Sequence, residues 1–88
     1  MIEIKITSRF QESHRKFIRN NPAKAKATAL ALKQFVHNPQ YPSLKLERLK
    51  NSRYWTIRID KGNRVFFIWA GNSALLVDIG SHDKYRRY

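Results

Sequence analysis

The stretch Tyr54-Trp55-Thr56-Ile57-Arg58-Ile59-Asp60-Lys61-Gly62-Asn63-Arg64-Val65-Phe66-Phe67-Ile68-Trp69-Ala70 decides the fold. Apolar and polar residues alternate along its first limb. The turn residues Lys61-Gly62-Asn63 then separate it from a second limb rich in aromatic and β-branched side chains, the signature of a β-hairpin. Gly71-Asn72 marks another turn, and Ser73 to Gly80 supplies a further strand. If Lys61 to Asn63 form the whole loop, Asp60 lies opposite Arg64 and Arg58 opposite Phe66 on one face. Trp55, Ile57, Ile59, Val65, Phe67 and Trp69 then share the other face, which is the core face.

Upstream, Ile2, Ile4 and Ile6 fall on one side of a first strand. Thr7 or Ser8 caps a helix carrying Phe10, Phe17 and Ile18, with Gln11 or Glu12 placed to reach back to the cap. Asn20-Asn21-Pro22 ends that helix and starts another, because asparagine caps well and proline suits a first helical position. Ala25, Ala29, Leu32 and Val36 give the second helix an apolar stripe with Phe35 on its edge, and Asn38-Pro39 closes it. Gln40 to Arg53 reads as an ordered loop or irregular strand anchored by Leu44, Leu46 and Leu49. The order is therefore βααβββ. It implies an α+β domain with an antiparallel-rich twisted sheet, the N-terminal helix pair on one face, the opposite face open, and a short basic tail.

With 88 residues the chain has room for one domain, residues 1–88, which buries roughly 60% of its unfolded surface. Eighteen Lys and Arg against six Asp and Glu give a formal net charge of +12, and the sequence pI is near 10.6. Nucleic acid, with or without an acidic protein partner, leads among the anionic partners such a surface suits. The cations are spread over all elements instead of forming one cationic amphipathic helix, which argues against a membrane surface. Cysteine is absent, which favours a reducing compartment and excludes thiolate metal sites. The alternating N-terminus reads as a strand and not as a signal peptide, so the cytoplasm is the expected location.

Phosphate chemistry on RNA needs a base for the 2′-hydroxyl, an acid for the departing 5′-oxygen, and fixed cations for the charge that builds between them. His82 is a group able to titrate near neutral pH, and Arg58, Arg64 and Lys45 offer fixed charge. Tyr85 can give a proton or stack on a base, and Glu47, in a basic loop, can take one. On spacing alone the two arginines read as a solvated edge with Asp60 neutralising Arg64, and His82 as a polar loop residue. The tail cations Lys84, Arg86 and Arg87 suit phosphate contacts or solubility equally. No metal-ligand cluster is visible, and no cofactor is implied.

The helix ending Phe35 to Pro39, then Pro42-Ser43-Leu44 and Leu49, Tyr54 to Ile59, Arg64-Val65-Phe66-Phe67, and Ile79-Gly80-Ser81-His82-Asp83-Lys84-Tyr85 together resemble the RelE/ParE superfamily of toxins. The resemblance spans nearly the whole chain. It implies a toxin of a type II toxin–antitoxin pair, with its site on the open concave sheet. The implied activity is metal-independent, ribosome-dependent cleavage of messenger RNA, silenced by a cognate acidic antitoxin. By motif position Arg58 and Arg64 match sheet arginines that hold the scissile phosphate. Lys45 and Lys50, with Arg48 between them, match loop cations that face RNA. Glu47 matches a proposed base, and His82 and Tyr85 match end-of-strand residues acting as acid, base or stacking platform. The sequence departs from many relatives in carrying Thr56 where an earlier arginine stands, and in a longer span from Arg58 to Arg64. The alternative implied by the same superfamily is a non-catalytic, ParE-like inhibitor of DNA gyrase.

Overall fold

A computed structural model describes all residues 1–88. Strand β1 (Glu3–Ile6) leads into helices α1 (Ser8–Ile18) and α2 (Pro22–His37). A 3₁₀ turn (Pro42–Leu44), the two-residue strand β2 (Glu47–Arg48), and strands β3 (Trp55–Asp60), β4 (Asn63–Ala70) and β5 (Ser73–Ser81) follow. The last element is a six-residue 3₁₀ helix, His82–Arg87. The sheet order is β1-β5-β4-β3-β2, antiparallel except for the parallel pair β1–β5. The α+β architecture agrees with the order of elements in the sequence.

Both helix starts are local chemistry. The Thr7 side chain accepts from the Phe10 amide and donates to the Leu76 carbonyl, and Asn21 accepts from the Lys24 amide. Neither Gln11 nor Glu12 returns to the cap; Glu12 pairs with Lys16 one turn on, at 3.3 Å. The buried stripe of α2 is Thr28, Ala31 and Phe35, not the expected Ala25–Ala29–Leu32–Val36 line, and Ala29 is exposed. The helix is rotated so that Phe35, fully buried, meets Phe67 at 5.0 Å and Trp69 at 5.9 Å between ring centroids. Burying one such ring stabilises by roughly 1.5–3 kcal/mol, enough for Phe35 to set the rotation. Phe10, Ala31, Phe35, Leu44, Ile57, Val65, Phe67, Ala74, Leu76 and Ile79 form the core, with Trp55, Ile59 and Trp69 packed against it. The core face of the hairpin is thus the one its alternation implies.

The register differs from the three-residue-loop expectation. Asp60 pairs with Asn63, and its side chain accepts from the Gly62 amide at 3.1 Å and the Asn63 amide group at 2.8 Å, tightening the turn. Arg58 consequently faces Arg64, and a bulge sits between Arg58 and Asp60. The shift is two residues at Arg58, so each side chain keeps its face. A second bulge has more consequence. Phe67 pairs with Leu76 and Phe66 with Asp78, leaving Val77 as the extra residue. Without that insertion Asp78 would follow Ala74 and Leu76 into the apolar core; with it, Asp78 lies on the second face. That face is not open along its whole length, because the basic tail, as the C-terminal 3₁₀ helix, lies across it and leaves Thr56 and Phe66 fully buried. No helix is long and apolar enough to cross a membrane.

Candidate functional site

Strand pairing lays two lateral rows of side chains on the second face. Glu47 pairs with Thr56, Thr56 with Phe66, and Phe66 with Asp78, so these four cross the sheet from β2 to β5. One step along, Arg58 pairs with Arg64 and Arg64 with Gly80. The sequence separations are large, and only the sheet brings these residues together.

Three residues per turn gives the 3₁₀ helix distinct edges. His82, Tyr85 and Tyr88 share one, and Lys84 and Arg87 another. Ser81 caps the helix by accepting from the Asp83 amide, while the His82 amide donates to the Gly62 carbonyl at 3.2 Å, tying the helix start to the β3–β4 turn. Tyr85 packs edge-on against Phe66 at 5.6 Å, and its hydroxyl reaches the far end of the first row. There it donates to Glu47 Oε1 at 3.1 Å and lies 3.4 Å from Thr56 Oγ1. Burial raises the Tyr85 pKa most; the Thr56 hydrogen bond and the Arg64 charge oppose this, and the Glu47 charge adds to it. The phenol therefore keeps its proton at neutral pH.

Arg64 donates to the Lys45 carbonyl at 3.2 Å. Lys45 is in the left-handed region at φ 47° and closes the Pro42–Leu44 turn. Neither Arg64 nor Arg58 meets a carboxylate within ion-pair distance, so Asp60 does not neutralise Arg64. Arg58 is drawn back along its own strand, donating from Nε to the Asp60 carbonyl at 3.2 Å, and it borders a groove beside Leu30, Ala31 and Gln34 of α2. The structure thus gathers Glu47, Tyr85 and Arg64 and leaves Arg58 at the margin. The exposed His82 ring stands edge-on to Tyr85 at 6.3 Å and 3.8 Å from Asp83. Lys45, Arg48, Lys50, Arg86 and Arg87 are exposed, with Arg48 donating to the Ser52 carbonyl at 2.9 Å. Lys84 is half-buried and engaged: its ammonium lies 2.9 Å from Asp78 Oδ1 and 3.1 Å from the Ile79 carbonyl. No group of three or more His, Cys, Asp or Glu side chains is placed to hold a metal ion.

Sequence reasoning passed over Asp78, whose side chain is 2% exposed. The signal was one carboxylate inside the apolar run Leu75-Leu76-Val77-Asp78-Ile79. Burial pushes its pKa up, but hydrogen bonds from Lys84, Tyr88 and the Ile79 amide, with the Lys84 charge, outweigh burial and hold it below the ordinary carboxylate value. Tyr88 packs on Tyr54 and Phe66 at 4.5 and 5.2 Å. Burial, then the Asp78 hydrogen bond and charge, push its phenol up to about 12.

The family model of the ParE-like toxin domain matches residues 23–87, three quarters of the chain. The chain belongs to the ParE-like toxin family. It is a member of the RelE/ParE superfamily, in agreement with the resemblance of its motifs. Solved structures share the fold of this ParE-like toxin. The YoeB/ParE toxin from Agrobacterium tumefaciens superposes with a TM-score of 0.75 at 16% identity, covering 92% of this chain and 99% of that one. YafQ from E. coli gives 0.75 at 11% identity, with 94% and 96% covered. The YoeB–YefM complex from Staphylococcus aureus gives 0.73 at 22% identity, with 93% and 98% covered. Among curated proteins none matches by sequence.

Proposed function

We propose that this ParE-like toxin belongs to a type II toxin–antitoxin pair and cleaves messenger RNA on the ribosome by attack of the 2′-hydroxyl. The observation that carries the reading is the Tyr85 phenol donating to the Glu47 carboxylate beside Arg64, a guanidinium with no acidic partner. Glu47 takes the proton of the 2′-hydroxyl as its oxygen bonds to phosphorus. The bond from phosphorus to the 5′-oxygen breaks, and that oxygen takes the Tyr85 proton. The products are a 2′,3′-cyclic phosphate and a 5′-hydroxyl. Because Tyr85 and Glu47 are hydrogen-bonded, the proton on Glu47 returns to Tyr85 and the site is restored. Arg64 stabilises the charge on the phosphorus oxygens and on the Tyr85 phenolate left after proton transfer, where a fixed cation lowers the barrier most. His82, exposed beside Tyr85, is the platform for a neighbouring base. Lys45, Arg48, Lys50, Arg86 and Arg87 contact flanking phosphates, with Arg58 as a second cation that swings in from the Asp60 carbonyl.

An acidic antitoxin is the partner this reading requires, since a +12 surface needs masking. Two of the fold's relatives are seen in complexes, YoeB with YefM as a toxin–antitoxin assembly and YafQ with DinJ. Controlled expression tests the reading: translation stops and transcripts acquire cuts within coding regions. Growth arrest with intact transcripts and accumulated DNA breaks would overturn it in favour of gyrase inhibition.

A further inference from the structure

The C-terminal 3₁₀ helix carries Tyr85, yet six residues of 3₁₀ helix have little stability of their own. What fixes the helix is concentrated on Asp78, at the opposite end of the row from Glu47. One carboxylate oxygen accepts from the Ile79 amide at 2.8 Å and from Lys84 at 2.9 Å; the other accepts from the Tyr88 hydroxyl at 2.8 Å and faces Arg9 at 3.6 Å. Lys84 and Tyr88 flank Tyr85 in sequence, so both sides of the turn that presents Tyr85 are pinned to the same carboxylate. Arg9 of α1 lies over the Tyr88 ring at 5.3 Å, closing the arrangement from the helix layer.

The backbone is shaped for this route. Gly80 has φ +156°, and a Cβ there would sit 2.8 Å from Lys84 Cε, so the lysine stem reaches Asp78 through space that only glycine leaves. The Val77 bulge turns Asp78 onto this face at all. The exposed Asp83 is the immediate chain neighbour of Lys84, but the ammonium chooses the buried partner six residues back.

We propose that Asp78 is a positioning residue, which acts through Lys84 and Tyr88 to hold the Tyr85 hydroxyl against Glu47. The catalytic consequence rests on the RNA-cleavage reading; the mechanical part does not. Lys84→Met keeps the lysine stem and removes the ammonium, and Tyr88→Phe removes only the hydroxyl, so both leave the core untouched; Asp78→Asn removes the charge at the hub. In each, hydrogen exchange at the Tyr85 and Tyr88 amides should quicken while the core strands stay protected. Cleavage of ribosome-bound mRNA should lose kcat by on the order of tenfold to a hundredfold, as expected when a reacting group is displaced by about an ångström, with KM little changed. Introduced into Tyr85→Phe, the same substitutions should cost nothing further. Unchanged exchange in both Lys84→Met and Tyr88→Phe would overturn the proposal. So would a loss of rate that recurs undiminished in the Tyr85→Phe background, which would mark a general structural role. A wild-type chain that cuts no RNA would reject the functional reading, and the exchange measurement would still decide whether Asp78 holds Tyr85.

Discussion

The two faces of the sheet are held by different physics. On the helix side Phe35, Ile57, Val65, Phe67, Leu76 and Ile79 are joined by apolar contact, which is non-directional and tolerant of small shifts. On the other side Glu47, Thr56, Phe66 and Asp78 are covered by a short helix through aromatic edges and a few polar contacts of defined length. The first face makes the fold; the second holds the Tyr85 hydroxyl against Glu47. A substitution on the first should therefore lower stability with the site chemistry unaltered in the surviving molecules, and one at Tyr85 on the second should do the reverse.

The largest expected effect on the second face is Tyr85→Phe. It should keep the fold and lose roughly 10²–10⁴ of the cleavage rate in single-turnover assays on ribosomal complexes, the usual contribution of a positioned acid. On the first face Phe67→Ala should destabilise by about 3–5 kcal/mol in denaturant unfolding, the range for a fully buried phenylalanine. Gly80→Ala probes the border between the faces. It should cost about 1–3 kcal/mol, because it strains φ +156° and displaces Lys84, and the helix-side packing should be unchanged by near-UV circular dichroism. Smallest is Asn21→Ala, which loses only the cap of α2 and about 1 kcal/mol, with cleavage unaffected.

The same contrast has a pH signature. The lowered pKa of Asp78 contributes stability above the unfolded carboxylate value of about 4, and that contribution is lost as pH falls through the folded value. Tyr88 behaves oppositely. Its pKa is raised to about 12, so its contribution is complete below the unfolded tyrosine value of about 10 and is lost as pH rises through about 12. Unfolding measured against pH should show both limbs in the wild type. Asp78→Asn should flatten the acid limb and bring the late-titrating tyrosine in the ultraviolet spectrum back towards the others.

What was legible in the sequence was local or periodic. The caps at Thr7 or Ser8 and at Asn21, the alternation of Ile57 with Ile59 and of Val65 with Phe67, and the turn at Gly62 each declare themselves within a few residues. The order of elements then leads to the fold. The register was not legible, because it depends on the Asp60 side chain closing the turn and on an extra residue at Val77 that no local preference marks. Nor was the coverage of the second face, since Phe66, Tyr85, Tyr88 and Asp78 are joined only after β4, β5 and the terminal helix have packed. Among the site residues, Arg64, Glu47, Tyr85 and His82 are brought near one another. Lys84, legible only as a tail cation, is occupied by Asp78, a carboxylate that nothing local marks as its partner.

On the proposed reading the Glu47–Tyr85 pair beside Arg64 cuts RNA. Primer extension on a defined mRNA bound to purified ribosomes, with the wild-type chain, Tyr85→Phe and Glu47→Gln, tests it most directly. New 5′ ends should appear with the wild type and nearly disappear with either variant, both folded. Equal cutting by all three would contradict the assignment of the pair, and an uncut message with the wild-type chain would contradict the claim itself.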